Sequence, residues 1–480
     1  MNIRNVPDTS LELSGEQMQQ LVDATTKRIG EFLDTLSEQP AWNDDKAIEI
    51  ARSLNEPLPE TDTPLEPLLD RLFNEVLTVG VNAAGPNYLA YVPGGGVPHA
   101  AVADLIASSV NRYIGIWSGA PGLAQLEASV LRWFADIIGY PPEAAGFFTS
   151  GGSLSIWSAI VTARCCKLPE NFLRGTLYTS DQTHHSVIKA ARFAGFPEAN
   201  VRIVPSDSSF RIQTDVLREQ IEHDRRDGWQ PFAIVGHAGT TNTGAVDDLD
   251  ELADIAQAEN LWLHHDASYG GFFMLTERGR AVLRGIERAD SVTLDPHKSL
   301  FMPYGTGCLL VRNSEYLKQA HQLRGDYMTA TPTSSEFTDF CDISPELTRN
   351  CRGLRAWLPM KLHGIEPFRH NLDEKLDLAG YAACGLRKLN DELDDNLEIV
   401  VDPQLTVVAF RLVRSGLSHD ELNQLNSDFR ERINSTRKVL LTPTLLHGSY
   451  AIRICVLCFR THCETIDTCL QEIRRAMREV

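Results

Sequence analysis

From about residue 87 to Arg312, short apolar runs alternate with segments whose apolar positions recur at helical spacing. The run Ala233 to Gly239 predicts a strand that enters the loop Thr240 to Val246. Asp248 and Glu251 then open a segment with Leu249, Leu252, Ala253 and Ala256 on one helical face. Asn260 to Asp266 predicts a short buried strand ending in a carboxylate, and the apolar run from Ser291 ends by presenting His297 and Lys298 together. Such alternation predicts a parallel sheet wrapped by helices.

The flanks follow other patterns. Ser14 to Gln17 has the form of a capping box and opens a helix with Leu21, Val22, Ile29, Phe32, Leu33 and Leu36 on one face. The proline-rich, acidic stretch 54–67 predicts an extended connector. An arm this small cannot bury its own apolar stripe, which predicts packing on a partner subunit. Residues 325–346 show little periodicity and predict a long loop of the kind that covers active sites. Arg349 to Trp357 opens a helix, and a smaller α/β domain follows, with strands near Glu398 to Val401, Leu405 to Leu412 and Ala451 to Val456. The expected division is a helical arm and dimerisation segment at 1–86, a large domain at 87–356 and a small C-terminal domain at 357–480.

Composition narrows the function classes. In 480 residues, 64 acidic against 45 basic side chains give a formal charge of −19, which argues against a nucleic-acid or anionic-membrane partner. The first residues carry no apolar signal core, and no segment reaches about 18 uninterrupted apolar residues, so the expected location is the cytoplasm. Ten cysteines there read as free thiols. Cys455 and Cys458 have metal-site spacing but no second ligand pair, and no metal is expected.

Four stretches carry chemistry. Lys298, just beyond a buried strand, is placed to attack a carbonyl as a neutral amine, which is how pyridoxal phosphate chemistry begins. Asp266 ends a strand, where it can pair with a pyridinium nitrogen or merely cap the next helix. Phe147 to Ser153 ends in Thr-Ser-Gly-Gly-Ser before a helical segment, which makes a phosphate cradle of backbone amides and a hydroxyl at Gly152 and Ser153. His184, in the turn after Tyr178 to Ser180, can stack on a cofactor ring or serve only the helix start.

In this order these stretches resemble the fold-type I pyridoxal phosphate enzymes (aspartate aminotransferase-like), and more closely the group II amino acid decarboxylases of the aromatic L-amino acid decarboxylase type. The resemblance covers about residues 65–475 and rests on Asn87 to Pro93, Thr149 to Ser153, Ser180 to His184, Gly239 to Thr241, His265 with Asp266, and Asp295 to Lys298. It implies an α/β large domain with a mostly parallel seven-stranded sheet, an N-terminal helical arm, a small C-terminal α/β domain, and a homodimer with active sites near the subunit interface. It implies pyridoxal 5'-phosphate held by Gly152, Ser153, His184, Thr240, Asp266, Asp295, His297 and Lys298. The catalytic residues it implies are Lys298, His184, Asp266 and Tyr327. Tyr91, Arg349 and Arg453 match substrate-side positions, and Arg352 borders the same site. For Arg352 and Arg453, salt bridging between domains is the equal alternative.

The implied reaction is decarboxylation of an L-amino acid, with an aromatic one expected, to the amine and CO2 through an external aldimine and a quinonoid. Aldehyde synthesis or transamination on the same fold, and a non-catalytic scaffold, are the alternatives. Transaminases commonly clamp the substrate carboxylate with a bidentate arginine, whereas decarboxylation needs that carboxylate free to leave. Three departures from the family pattern stand out: Leu154 and Ser155 follow the cradle, Asp295 replaces the asparagine of animal aromatic decarboxylases, and Val92 to Val97 contains Gly94, Gly95 and Gly96. Those glycines either leave room for a large side chain or make a different turn.

By the same resemblance Tyr327 donates the proton that replaces CO2 at the α-carbon, and relatives with phenylalanine there make aldehydes. Tyr327→Phe is therefore expected to shift product from amine toward aldehyde with consumption of oxygen. Unchanged amine yield without oxygen uptake would remove the proton-donor role.

Overall fold

The computed structural model describes residues 11–323, 336–393 and 397–479. Strands β1 (Ala145–Thr149), β2 (Gly175–Ser180), β3 (Val201–Val204), β4 (Gln230–His237), β5 (Trp262–Asp266), β6 (Ser291–Leu294) and β7 (Gly307–Val311) form one sheet in the order β1-β7-β6-β5-β4-β2-β3. Only β7 runs against the rest, so this is the mostly parallel seven-stranded sheet that the family resemblance implies. Every position of β2, β5, β6 and β7 is buried, because helices cover both faces and leave no solvent side for alternation to mark. The carboxyl ends of β1, β2, β4, β5 and β6 open along one edge of the sheet. The segments just beyond them carry the glycines of the cradle, His184, Thr240, Asp266 and Lys298.

A second, antiparallel sheet is built from β8 (Leu397–Val401), β9 (Val407–Leu412), β10 (Thr442–Leu446) and β11 (Ser449–Cys455), in the order β8-β9-β11-β10. The sequence pattern did not reveal β10. Pro443 interrupts its run, which an edge strand tolerates because the missing amide has no ladder partner to serve. The helix Glu366–Leu393 spans both cores: Phe368 and Leu372 belong to the large one, and Leu378 to Leu389 to the small one. The change of core thus falls inside this helix and not at residue 356, because the preceding helix Gly353–His363 still packs on helices Pro98–Val110 and Pro121–Ile138.

At the N-terminus the capping box forms as expected, Ser14 and Gln17 each accepting from the other's amide. The arm helix Gly15–Asp34 has no fully buried residue. The connector is shorter than expected. Helix Leu65–Asn74 starts inside it, with Pro67 in the first turn, where a missing amide costs no intrahelical bond. Among the described residues no helix is long and apolar enough to cross a membrane.

One buried ion pair ties the helices together. Glu127, on Pro121–Ile138, and Arg349 meet with both side chains fully buried. The other Glu127 oxygen accepts from the Gly353 amide at 2.7 Å, and Arg349 donates to the Phe148 carbonyl at 3.1 Å. The helix expected from Arg349 therefore begins at Gly353, where an acceptor from another helix satisfies its first amide. Glu127→Gln leaves the buried guanidinium with only the more distant Glu346, 3.7 Å from its Nε, as a carboxylate partner among the described residues, and should cost about 3 kcal/mol of stability, read from the denaturant midpoint. A shift no larger than that of a surface Glu→Gln control would refute this role.

Candidate active site

Lys298 follows β6 in a tight turn. Its amide donates to the Asp295 carbonyl at 2.8 Å, Met302 N donates to Pro296 O at 2.9 Å, and Ser299 Oγ donates to Tyr269 O at 2.6 Å. That turn aims Lys298 Nζ back over the sheet edge, 3.1 Å from Asp295 Oδ2. His297 meets the Thr306 carbonyl through Nδ1 at 2.7 Å.

Asp266, at the end of β5, is 8% exposed. Ser268 donates to its Oδ1 twice, from the amide at 3.1 Å and from the hydroxyl at 2.6 Å, while Oδ2 receives no bond from the described residues. Burial alone would raise its pKa. The charge of Lys298, the Ser268 hydroxyl and the imidazoles of His237 and His264 outweigh that and hold it below the usual carboxylate range. Asp266 does not cap the next helical segment, Gly271–Leu275, which has no side-chain cap; the bonds from Ser268 fix an ionised carboxylate that lines the cavity.

His184 caps the helix His185–Phe193: its Nδ1 accepts from the Ser186 amide at 3.3 Å and lies 2.7 Å from the Ser186 hydroxyl. Burial pushes its pKa down despite the opposing charge of Asp266, which favours a neutral ring suited to stacking. It serves both the helix start and the cavity. The cradle is tight. A Cβ on Gly152 would lie 2.7 Å from Ser268 Oγ and 3.0 Å from Asp295 Oδ2, so the first residue of helix Gly152–Lys167 has to be glycine.

Gly152, Ser153, His184, Thr240, Asp266, Asp295, His297 and Lys298 all line one cavity of about 490 Å³. An amine, an ionised carboxylate and a helix N-terminus lining one cavity fit pyridoxal phosphate as a donor set, and Asp295 Oδ1 is buried there without a hydrogen-bond donor among the described residues. No cluster of histidine, cysteine or carboxylate side chains suited to a metal occurs among the described residues.

Other expectations need correction. Arg349 does not reach the cavity, because its cation is spent on Glu127. Arg453 is 3% exposed and donates to the carbonyls of Asn242 and Tyr91, each at 3.1 Å, and to Thr442 Oγ1 at 3.2 Å, so it clamps loops and not substrate. Tyr91 is 61% exposed, with φ of 51°, outside the cavity. Arg352 pairs with Glu346 at 2.8 Å. Tyr327 lies outside the described residues. The glycine run makes a turn. A Cβ on Gly94 would collide with the His297 carbonyl, so the segment exists to press against the Lys298 turn.

Sequence reasoning missed His237, which lines the same cavity at the end of β4, register partner of Asp266. Burial disfavours its cation, but Asp247, 3.2 Å from Nδ1, and the charge of Asp266 more than offset this and raise its pKa. The bridge between Ala238 and Val246 brings the pair together, and nothing in the linear sequence announces it.

Residues 49–413 match the model of the pyridoxal-dependent decarboxylase conserved domain. The chain is 36% identical over 473 residues to an aromatic-L-amino-acid decarboxylase of Bacillus atrophaeus, covering 98% of each. It is 26% identical over 478 residues to tryptophan decarboxylase 1 of Oryza sativa, covering 94% of this chain and 91% of the other. Among solved structures it is similar to Catharanthus roseus tryptophan decarboxylase in complex with L-tryptophan, with a TM-score of 0.89, 25% identity and coverage of 98% and 100%. With the cavity, its amine and its ionised carboxylate already in place, these matches make the chain a member of the pyridoxal-dependent decarboxylase family, a pyridoxal phosphate-dependent carboxy-lyase.

Proposed function

We propose that this enzyme converts an aromatic L-amino acid to its amine and CO2 as a cytoplasmic homodimer. One observation carries the choice of decarboxylation over transamination: no arginine lines the cavity among the described residues, so no bidentate clamp holds the α-carboxylate in place. The aromatic preference rests on the named activities of the relatives.

Bound pyridoxal phosphate supplies an aldehyde for an amine and a ring that withdraws electrons from the α-carbon. Lys298 is the amine that would hold this aldehyde. Asp266, kept ionised, holds a proton on the ring nitrogen, and Ser268 fixes the carboxylate for that task. His184 packs the ring from the helix start. Tyr327 returns the proton to the α-carbon after CO2 leaves.

The dimer is supported by an apolar groove in which Leu21, Ile29 and Phe32 of the arm face Val102 and Leu105 of helix Pro98–Val110, most of them well exposed in a single chain. A second copy covers this face in the proposal. Light scattering should give twice 53.4 kDa for the wild type, and Val102→Asp with Leu105→Asp should give the monomer mass. A monomeric wild type would reject the dimer.

Two substitutions test the chemistry, with CO2 and amine release followed over a panel of amino acids. Lys298→Ala should lose the absorbance band at about 420 nm and slow turnover by orders of magnitude; near wild-type turnover would refute its role. Asp266→Asn should slow turnover far more than it weakens cofactor binding. Small, equal losses in both would make Asp266 structural only.

A further inference from the structure

The Asp295 carboxyl group lies beside Gly152, at the end of the cavity where the cradle forms. It is 2% exposed, lines the cavity, and has Oδ2 3.1 Å from Lys298 Nζ and 3.7 Å from His297 Nε2. Oδ1 finds no hydrogen-bond donor among the described residues. The carboxylate also abuts Gly152, the first residue of helix Gly152–Lys167, whose opening amides have no intrahelical acceptor. Two anions, this carboxylate and the cofactor phosphate, are thus directed to one helix N-terminus. The nearest cation is Lys298, which the cofactor aldehyde claims.

Resting on the assignment of this cavity to pyridoxal phosphate, we propose that cofactor binding takes up one proton, held between the Asp295 carboxyl group and the phosphate. Asp295 then donates where it would otherwise repel, and cofactor affinity becomes dependent on pH. Among the described residues, the titratable groups beside Asp295 are Lys298 and His297 on its own segment, His184 at the start of its helix and Cys308 on β7, and Asp266, His237 and Tyr304 line the same cavity. Burial pushes the His184 imidazole down and the Cys308 thiol up, so both stay neutral at pH 8.

The sign follows from proton counting. Above a pH of about 6, the second ionisation of a phosphate monoester, the free phosphate is a dianion and a free carboxylate is ionised. The complex then holds one proton more than its separated partners, and affinity falls as pH rises, by up to about tenfold per unit. Below that pH the free phosphate brings the proton itself, and this contribution is flat.

Pyridoxal 5'-phosphate, whose aldehyde commits Lys298, is the probe. Titrating it into the full-length apoenzyme at pH 8, in two buffers of different ionisation enthalpy, counts protons calorimetrically, and any proton exchanged at Lys298 is common to wild type and variant. The wild type should take up about one proton more than Asp295→Asn, and affinity in the variant should be higher at pH 8 and flatter between pH 7 and 8.5. Equal proton counts would overturn the proposal, as would loss of the uptake in His297→Gln but not in Asp295→Asn. Should Asp295→Asn not fold, the wild type alone decides: its uptake must exceed by about one proton that measured with pyridoxal lacking the phosphate, and equality refutes the proposal. Failure of pyridoxal 5'-phosphate to bind at all would refute the cofactor assignment beneath it.

Discussion

A carboxylate at the end of a buried central strand has to be balanced, and the balance around Asp266 organises this molecule. Burial by itself would protonate it, and a protonated Asp266 could not hold a proton on a ring nitrogen. The sheet solves this with charges of alternating sign across its carboxyl edge. Lys298 stands on the β6 side of Asp266 and His237 on the β4 side, and Asp247 in turn supports His237. Asp247 is itself fixed by the amides of Ile212 and His237, each at 2.8 Å. A parallel sheet is what allows this arrangement, since it brings successive strand ends from distant parts of the sequence to one edge.

The architecture was legible because its signals are local. Strand runs, helical stripes and the Ser14 capping box depend on neighbours within a few residues, and a parallel sheet covered on both faces leaves continuous apolar runs. What failed to show was also local in cause. Pro443 hid an edge strand, and the proline content of residues 54–67 hid a helix whose first turn tolerates proline. Of the site, every residue tied to a motif at a strand end, from Gly152 to Lys298, lines the cavity. His237 escaped because its meaning depends on Asp247 across a loop and on Asp266 on the next strand. Neither proximity is written in spacing.

The arginines were misread for a different physical reason. A motif tells where the backbone goes, not which way a long side chain turns, and a buried guanidinium turns toward whatever acceptors satisfy it. Arg349 finds Glu127, and Arg453 finds carbonyls of the two loops that carry Tyr91 and Asn242. Both stand close enough to the site for sequence context to suggest substrate, yet both are consumed in fixing the walls. This has a chemical consequence. Among the described residues no arginine lines the cavity, and a carboxylate not held in a bidentate guanidinium clamp is free to depart as CO2.

The same economy of cations explains why the phosphate end is tense. Lys298 is close to Asp295 and also lowers the pKa of Asp266, so one ammonium supports carboxylates on both of its sides. Once its nitrogen is committed to the cofactor, the Asp266 side keeps His237 and the Ser268 hydroxyl, but among the described residues the Asp295 side keeps as ion-pair partner only His297, 3.7 Å away. The two ends of the row therefore respond unequally to the same event. At Asp266 the remaining partners preserve the negative charge that the ring nitrogen needs. At Asp295 the commitment of Lys298 and the arrival of a phosphate act in the same direction, and the proposed proton offsets both.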